Sequence, residues 1–216
     1  MATRRKLSRR VSYYARDITN IIRFGLRAPK SAQLIWVRPR SVTAIIIKPT
    51  GNIDRLFMPR RNFTGRILDG DWDREVTELK NISKVNGCYD RYVRKIRWEE
   101  TDLIRGHLRS LRTRGRHSKG DSEEKILERY RRLDRLYETA MNDGLSPQRL
   151  VEPGAFREEG GIYVHIARNG TPIFGGGGSH RLAIAQILNL NVVPAQLGVV
   201  HTEFWEAKQR IPDIVG

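Results

Sequence analysis

The sequence predicts an α+β fold, a small mixed sheet with helices, plus a helical middle region and a basic N-terminal extension. Three observations carry this expectation. Apolar runs of strand length fall between residues 34 and 48 and again between 162 and 200. From 74 to 144 the apolar residues recur at helical rather than alternating spacing. Strands that are grouped apart from helices, instead of alternating with them, mark an α+β chain.

Residues 1–33 form the extension, and 34–216 are expected to make one α+β domain with a helical insertion over about 74–144. Arg4, Arg5, Lys6, Arg9 and Arg10 open the chain. Tyr13, Tyr14, Ile18, Ile21, Ile22 and Phe24 then predict an amphipathic helix. Such a helix either docks on the domain with its charges in water, or grips phosphates and stacks on bases. Leu34 to Val37 and Val42 to Lys48 read as strands, with Ala44 to Ile47 apolar enough to be buried. Pro49 to Asn52 is a turn, and 53–66 is an irregular segment carrying Arg55, Arg60, Arg61 and Arg66.

Ile67 to Asp73, ILDGDWD, places Asp69, Asp71 and Asp73 within five residues around Gly70 and Trp72. Carboxylates so spaced in a loop can hold a divalent cation beside phosphates, or supply a general base. Equally, they can form a turn in which Asp73 caps a following helix. Two short helices are expected over 74–85 and 89–97, separated by Asn86-Gly87. Trp98 to Asp102 is an acidic knot that suits a helix start, with Glu99 and Glu100 as secondary candidates for chemistry. The helix continues through Leu103 to Leu111, and Arg112 to Gly120 is a basic loop without apolar anchors.

Asp121 to Gly144 is the clearest helix. Asp121 with Glu124 resembles a capping box, and Gly144 with Ser146-Pro147 ends the element. Ile126, Leu127, Tyr130, Leu133, Tyr137, Ala140 and Met141 share its apolar face.

The densest local chemistry lies in Ile162 to Leu190. Ile162, Val164 and Ile166 alternate with Tyr163, His165 and Ala167, the period of a strand. Asn169-Gly170 suits a two-residue hairpin turn with two positive φ angles, and Thr171 to Phe174 is the returning strand. Gly175, Gly176, Gly177 and Gly178 follow, then Ser179, His180, Arg181 and a helix-forming run. Glycines allow close backbone approach to a ligand, and the first N–H groups of a helix are free and electropositive. A phosphate or carboxylate fits there. Ser179 adds a hydroxyl, His180 an imidazole, and Arg181 a fork for two phosphate oxygens. The plainer alternative is a glycine linker with Ser179 as an ordinary cap. Val192 to Val200 is expected to be the last strand, beside the hairpin, with a terminal helix from Thr202. His201 could face the loop as acid, base or phosphate ligand, or be structural.

Phe174 to Ala183 (FGGGGSHRLA), followed by Val193-Pro194, resembles the ParB/sulfiredoxin superfamily over residues 160–201. Members share a strand, a G-x-[HR]-R turn, a helix and a short strand opened by Val-Pro. The resemblance implies that Gly178, Ser179, His180 and Arg181 bind nucleotide phosphates. Ser179 stands where sulfiredoxins have cysteine, which argues against sulfinic acid repair. The motif lies late in the chain, with fifteen residues after His201, which argues against a standard partition protein.

Of 216 residues, 40 are Lys or Arg and 24 are Asp or Glu, a net charge of +16. Residues 1–66 hold sixteen basic residues against two acids, a net of +14, and the remaining 150 carry only +2. That field attracts nucleic acid or an acidic membrane surface. Cys88 is the single cysteine, so neither an internal disulfide nor a multi-cysteine zinc site forms. With no secretory pattern and no apolar stretch of spanning length, the expected compartment is the cytoplasm.

The resemblance, added to the anion site, implies a nucleotide-binding protein that takes ATP or CTP with Mg²⁺. Gly175 to Arg181 would hold phosphates, and Asp71 or Asp73 would hold the metal or activate the acceptor for NTP hydrolysis or kinase-like phosphoryl transfer, with His180 assisting. The alternatives are a DNA- or RNA-binding or nuclease-like protein that uses basic residues 1–66, and a regulatory domain without catalysis.

Overall fold

The computed structural model describes residues 2–46, 61–115 and 120–216, with side chains from residue 7 onward and excluding that of Arg61. The turn expected at 49–52 and most of the segment 53–66 lie outside the described residues. The fold is α+β. Its strands are β1 (Leu34–Val37), β2 (Ala44–Ile46), β3 (Ile67–Leu68), β4 (Val76–Glu78), β5 (Ile162–Ile166), β6 (Pro172–Phe174), β7 (Val193–His201) and β8 (Ile214–Val215). Its helices are α1 (Ala2–Phe24), α2 (Ser83–Tyr92), α3 (Asp102–Arg114), α4 (Glu123–Asp143), the single turn α5 (Gln148–Val151), α6 (Ser179–Ile187) and α7 (Thr202–Lys208).

The chain divides into two compact units. The first comprises residues 1–77, 146–178 and 191–216, and the second 78–145 and 179–190. Residues 1–33, expected as an extension, therefore fall within the first unit. One mixed sheet runs in the order β4-β2-β6-β5-β7-β1-β8, and β3 also pairs with β7. The expected hairpin forms as antiparallel β5 and β6, with His165 opposite Ile173. β7 lies parallel to β5 and antiparallel to β1. The strand expected from Ile162 forms, and every residue of β5 and β7 is buried, the polar His165, Gln196 and His201 included. Neighbouring strands cover the edges of β5 and β7, and both of their faces are packed as well. β2 is only half-buried rather than a core strand.

The hairpin turn also departs from expectation. Gly170 has φ +85°, but Asn169 does not share it. Instead the Asn169 side chain accepts from the Thr171 N–H (3.0 Å), and Gly170 N donates to Ala167 O (2.9 Å).

α1 packs through part of the expected face. Phe24 lies edge-on to Trp205 with centroids 6.4 Å apart. Tyr13 is buried against Phe156 with ring centroids 5.6 Å apart, and beside it lie buried Asp17 and Asn20. Asn20 donates to the carbonyls of Pro29 and Gly65 (2.7 Å each). Asp17 accepts from Ser31 N (2.7 Å) and from Arg157 (2.6 Å), which also reaches Ser31 O. Tyr14, Ile18 and Ile22, expected to anchor the helix, are exposed. Buried polar groups with full partners outcompeted aliphatic ones because the loop over 28–32 offers free backbone N–H and C=O groups.

In the second unit α2, α3, α4 and α6 pack together. The helix expected over 74–85 does not form, since β4 and a short 3-10 turn at Leu79–Asn81 occupy that stretch. Asn86-Gly87 lies inside α2 rather than between helices. A Cβ on Gly87 would fall 2.5 Å from Leu103 Cδ2, so the glycine serves close packing of α2 on α3. α4 is capped by Ser122, whose hydroxyl accepts from Lys125 N, and not by Asp121, which pairs with Lys125. Gly144 ends it as expected, but Met141 is exposed. Asp134 on α4 accepts from Arg91 (3.1 and 3.0 Å) and from the Trp98 indole (3.0 Å).

Candidate functional site

The glycine turn starts where β6 ends. Gly175 N donates to Tyr163 O (2.7 Å), and Tyr163 N donates to Gly177 O (3.0 Å). A Cβ at Gly175 would lie 2.4 Å from the Tyr163 ring and 2.6 Å from His165 Nε2, so packing alone requires glycine there. Gly178, at φ +73°, approaches the Ile162 backbone so closely that a Cβ would sit 2.8 Å from its Cα. Gly176 differs. It adopts φ +83°, yet a Cβ would meet nothing within 4 Å. Among the described residues, the N–H groups of Gly176, Gly177 and Gly178 donate no hydrogen bond within the chain.

The boundary between the two units falls between Gly178 and Ser179. Ser179 opens α6 and is buried, while His180 and Arg181 are half-buried. Within the second unit, the His180 ring stands edge-on to Tyr130, 5.6 Å between centroids. Tyr130 also pairs through its hydroxyl with His107 Nε2 (2.8 Å). Glu99 and Glu100 lie in a 3-10 turn of that unit, Glu99 within 3.9 Å of Arg97 and 3.7 Å of Arg131. Cys88 is buried, and burial with the Asp134 charge pushes its thiol up to about 12, outside nucleophilic range.

In the first unit the Asp71–Trp72–Asp73 segment meets residues that the sequence did not connect to it. Asp73 caps no helix. Its carboxylate accepts from the Arg168 backbone N–H (2.9 Å), from Arg168 Nε (3.0 Å) and from Arg168 Nη2 (2.7 Å). Burial alone would raise this carboxyl, but the Arg168 hydrogen bonds outweigh it and hold it below the ordinary carboxylate value. The same bonds raise Arg168 above its ordinary value. Arg168 also reaches Asp71 (2.8 Å), Gly70 O (2.9 Å) and Glu203 (3.2 Å), and Asp71 has a second partner in Arg74. Arg168 lies in the hairpin turn after β5, ninety-five residues from Asp73 in the chain, and no spacing rule links the two.

Two histidines flank Trp72, each with its ring centroid 5.7 Å from the indole. His201, at the end of β7, accepts from Glu203 N at Nδ1 (3.2 Å) and donates from Nε2 to Gly70 O (2.8 Å), with Asp73 3.9 Å away. It therefore caps α7 and pins the aspartate loop. His165 accepts the Val199 N–H at Nδ1 (2.9 Å), which leaves the proton on Nε2, a buried atom with no partner among the described residues. Burial drives His165 down to about 3, so it stays neutral.

This arrangement is an ion-paired knot joining the aspartate loop, the hairpin turn and the start of α7. Among the described residues no group of three or more His, Cys, Asp or Glu side chains is placed to hold a metal ion. With the oxygens of Asp73 engaged by a guanidinium, Asp71 and Asp73 do not present the open pair that Mg²⁺ takes.

A second feature of this unit is a groove along α1 lined by charges of both signs, Glu152 and Glu159 among them, with Arg9 paired to Glu159 at 3.0 Å. Two adjoining depressions of about 400 and 470 Å³ share Arg9, Tyr13 and Asn62. Arg16 and Arg66 line one of them with Ser8 and Ser12. Arg16 donates to Thr64 O (2.8 Å), and Arg66 stacks on Phe63 at 4.8 Å. Comparison with protein-family models, curated proteins and solved structures gives no match for this chain.

Proposed function

We propose that this chain binds a phosphate-bearing ligand, a nucleotide, at the turn Gly175 to Arg181. The observation that supports it best is Gly176. This glycine holds a left-handed backbone conformation with empty space where a side chain would go, amid N–H groups that no atom of the described residues accepts. Backbone N–H groups leading directly into a helix suit phosphate oxygens. The reading needs only consecutive residues, 175 to 181, with Ser179, His180 and Arg181 supplying polar and cationic contacts by their chemistry. The proposal is confined to binding, since Arg168 engages Asp73 and Asp71.

The test is ligand-induced thermal stabilisation by ATP, CTP, GTP and inorganic phosphate on wild type, Gly176→Ala and Arg181→Ala. A bound nucleotide at a hundred times its dissociation constant adds about 2.7 kcal/mol of apparent stability. The expected result is a shift with one or more nucleotides that shrinks in both variants. No shift with any nucleotide, or one that both variants retain, would overturn the proposal.

A further inference from the structure

α1 carries two kinds of surface that one partner must satisfy together. Leu7, Val11, Tyr14, Ile18 and Ile22 recur at spacings of four, three, four and four, so they share one stripe of the helix. Every one is more than half exposed, with Ile18 at 60% and Ile22 at 78%. Leu26, just beyond the helix, is 85% exposed. The helix docks on its own unit through Tyr13, Asp17 and Asn20, which lie on a different face, and Tyr14 marks the border, its ring edge-on to Phe156 at 5.4 Å. An ordered row of aliphatic side chains in water, on a helix already docked elsewhere, marks an interaction surface rather than scattered exposure.

Charge identifies the occupant. α1 contains seven Lys and Arg and one acid, Asp17, which is buried and paired with Arg157. Arg9 is paired with Glu159, and Arg10 and Arg16 donate to the carbonyls of Gly154 and Thr64, which leaves Arg23 and, just beyond the helix, Arg27 as exposed cations among the described side chains. Two copies joined along this stripe would gather these four exposed arginines with no acid paired to them among the described residues. Nucleic acid would satisfy the arginines and leave the aliphatic row in water. An anionic bilayer satisfies both, since acyl chains take the stripe and acidic headgroups take the arginines. The helix is amphipathic rather than apolar throughout, and among the described residues no helix is long and apolar enough to cross a membrane. We infer that α1 is an interfacial helix that seats this protein on an anionic lipid surface by inserting Leu7, Val11, Ile18 and Ile22.

The experiment is sedimentation of the full chain with vesicles of phosphatidylcholine alone and with 40% phosphatidylglycerol, at low and high salt. The variants are Ile18→Glu/Ile22→Glu and Arg23→Gln/Arg27→Gln. All four positions are exposed and outside the docking face, and a thermal melt checks that each variant remains folded. Wild type is expected to sediment with the acidic vesicles and far less with the neutral ones. The double glutamate variant should lose at least about tenfold in partitioning, and the double glutamine variant about thirtyfold, near fivefold per charge. Three outcomes would overturn the inference. One is no partitioning into acidic vesicles at low salt. Another is partitioning that the glutamates leave unchanged. The third is a stripe-dependent dimer in analytical ultracentrifugation, or salt-sensitive oligonucleotide binding, without vesicle binding.

Discussion

Arg168 grips Asp73 with its backbone N–H and its guanidinium at once, and the aspartate it holds is only 3% exposed. Replacing Arg168 with methionine would leave the Asp73 carboxylate without its guanidinium partner, a loss of stability for the fold. Urea denaturation should show that loss, and Arg168→Met/Asp73→Asn should recover a measurable part of it. If the double variant were no more stable than the single one, the pair would not be the source of the effect. The linkage has a definite sign. Because the Asp73 carboxyl is lower in the fold than in the unfolded chain, its contribution is present above about pH 4. It is lost as pH falls through the depressed value.

His165 predicts a second acid-sensitive term in a different window. Its folded value lies at about 3, against an ordinary 6.5, so the unfolded chain binds a proton that the fold refuses. Stability should therefore fall as pH drops below about 6.5, by up to about 1.4 kcal/mol per unit, until pH 3. The imidazole resonances of His165 should show no protonation between pH 7 and 4 while the chain stays folded. A midpoint near 6 would contradict the burial argument.

The glycines of the turn should separate into packing and ligand roles. Gly178→Ala meets both a left-handed backbone and the Ile162 backbone, for a cost of about 2–4 kcal/mol. Gly176→Ala meets only the backbone penalty, about 1 kcal/mol. Chemical denaturation ranks the two, and equal losses would show that the space beside Gly176 is not open.

On α1 the polar residues should matter for folding and the aliphatic ones should not. Asn20→Ala removes two buried hydrogen bonds and should cost about 2 kcal/mol. Ile18→Ser should stay within about 0.5 kcal/mol of wild type. Denaturant midpoints decide this, and a reversed ranking would relocate the docking face.

Much of the fold was legible because its signals are local. The β5–β6 hairpin, β7, α4 with its Gly144 stop, and the glycine turn each rest on periodicity or turn chemistry over fewer than thirty residues. The errors share a cause as well. The stretch 74–85 has helical composition, yet Val76–Glu78 joins the sheet because neighbouring strands offer unpaired backbone groups. Gly87 reads as a breaker, but α2 needs it to pass Leu103. Ile18 and Ile22 read as part of a docking face with Tyr13, but the site that receives α1 offers Phe156 to Tyr13 and backbone groups to Asp17 and Asn20.

The α+β class, the basic first third, the isolated Cys88 and the position of the glycine turn are readable along the chain. These depend on composition and on neighbours along the chain. Only the tertiary structure decided what the aspartate loop does. Asp73 and Arg168 meet across ninety-five residues because β3 and β5 both run parallel to β7. It also decided which side of α1 faces water, because a helix offers several stripes and the receiving surface selects one. Local rules propose such faces, while the partners that satisfy buried hydrogen bonds and charges are brought together only when the chain folds.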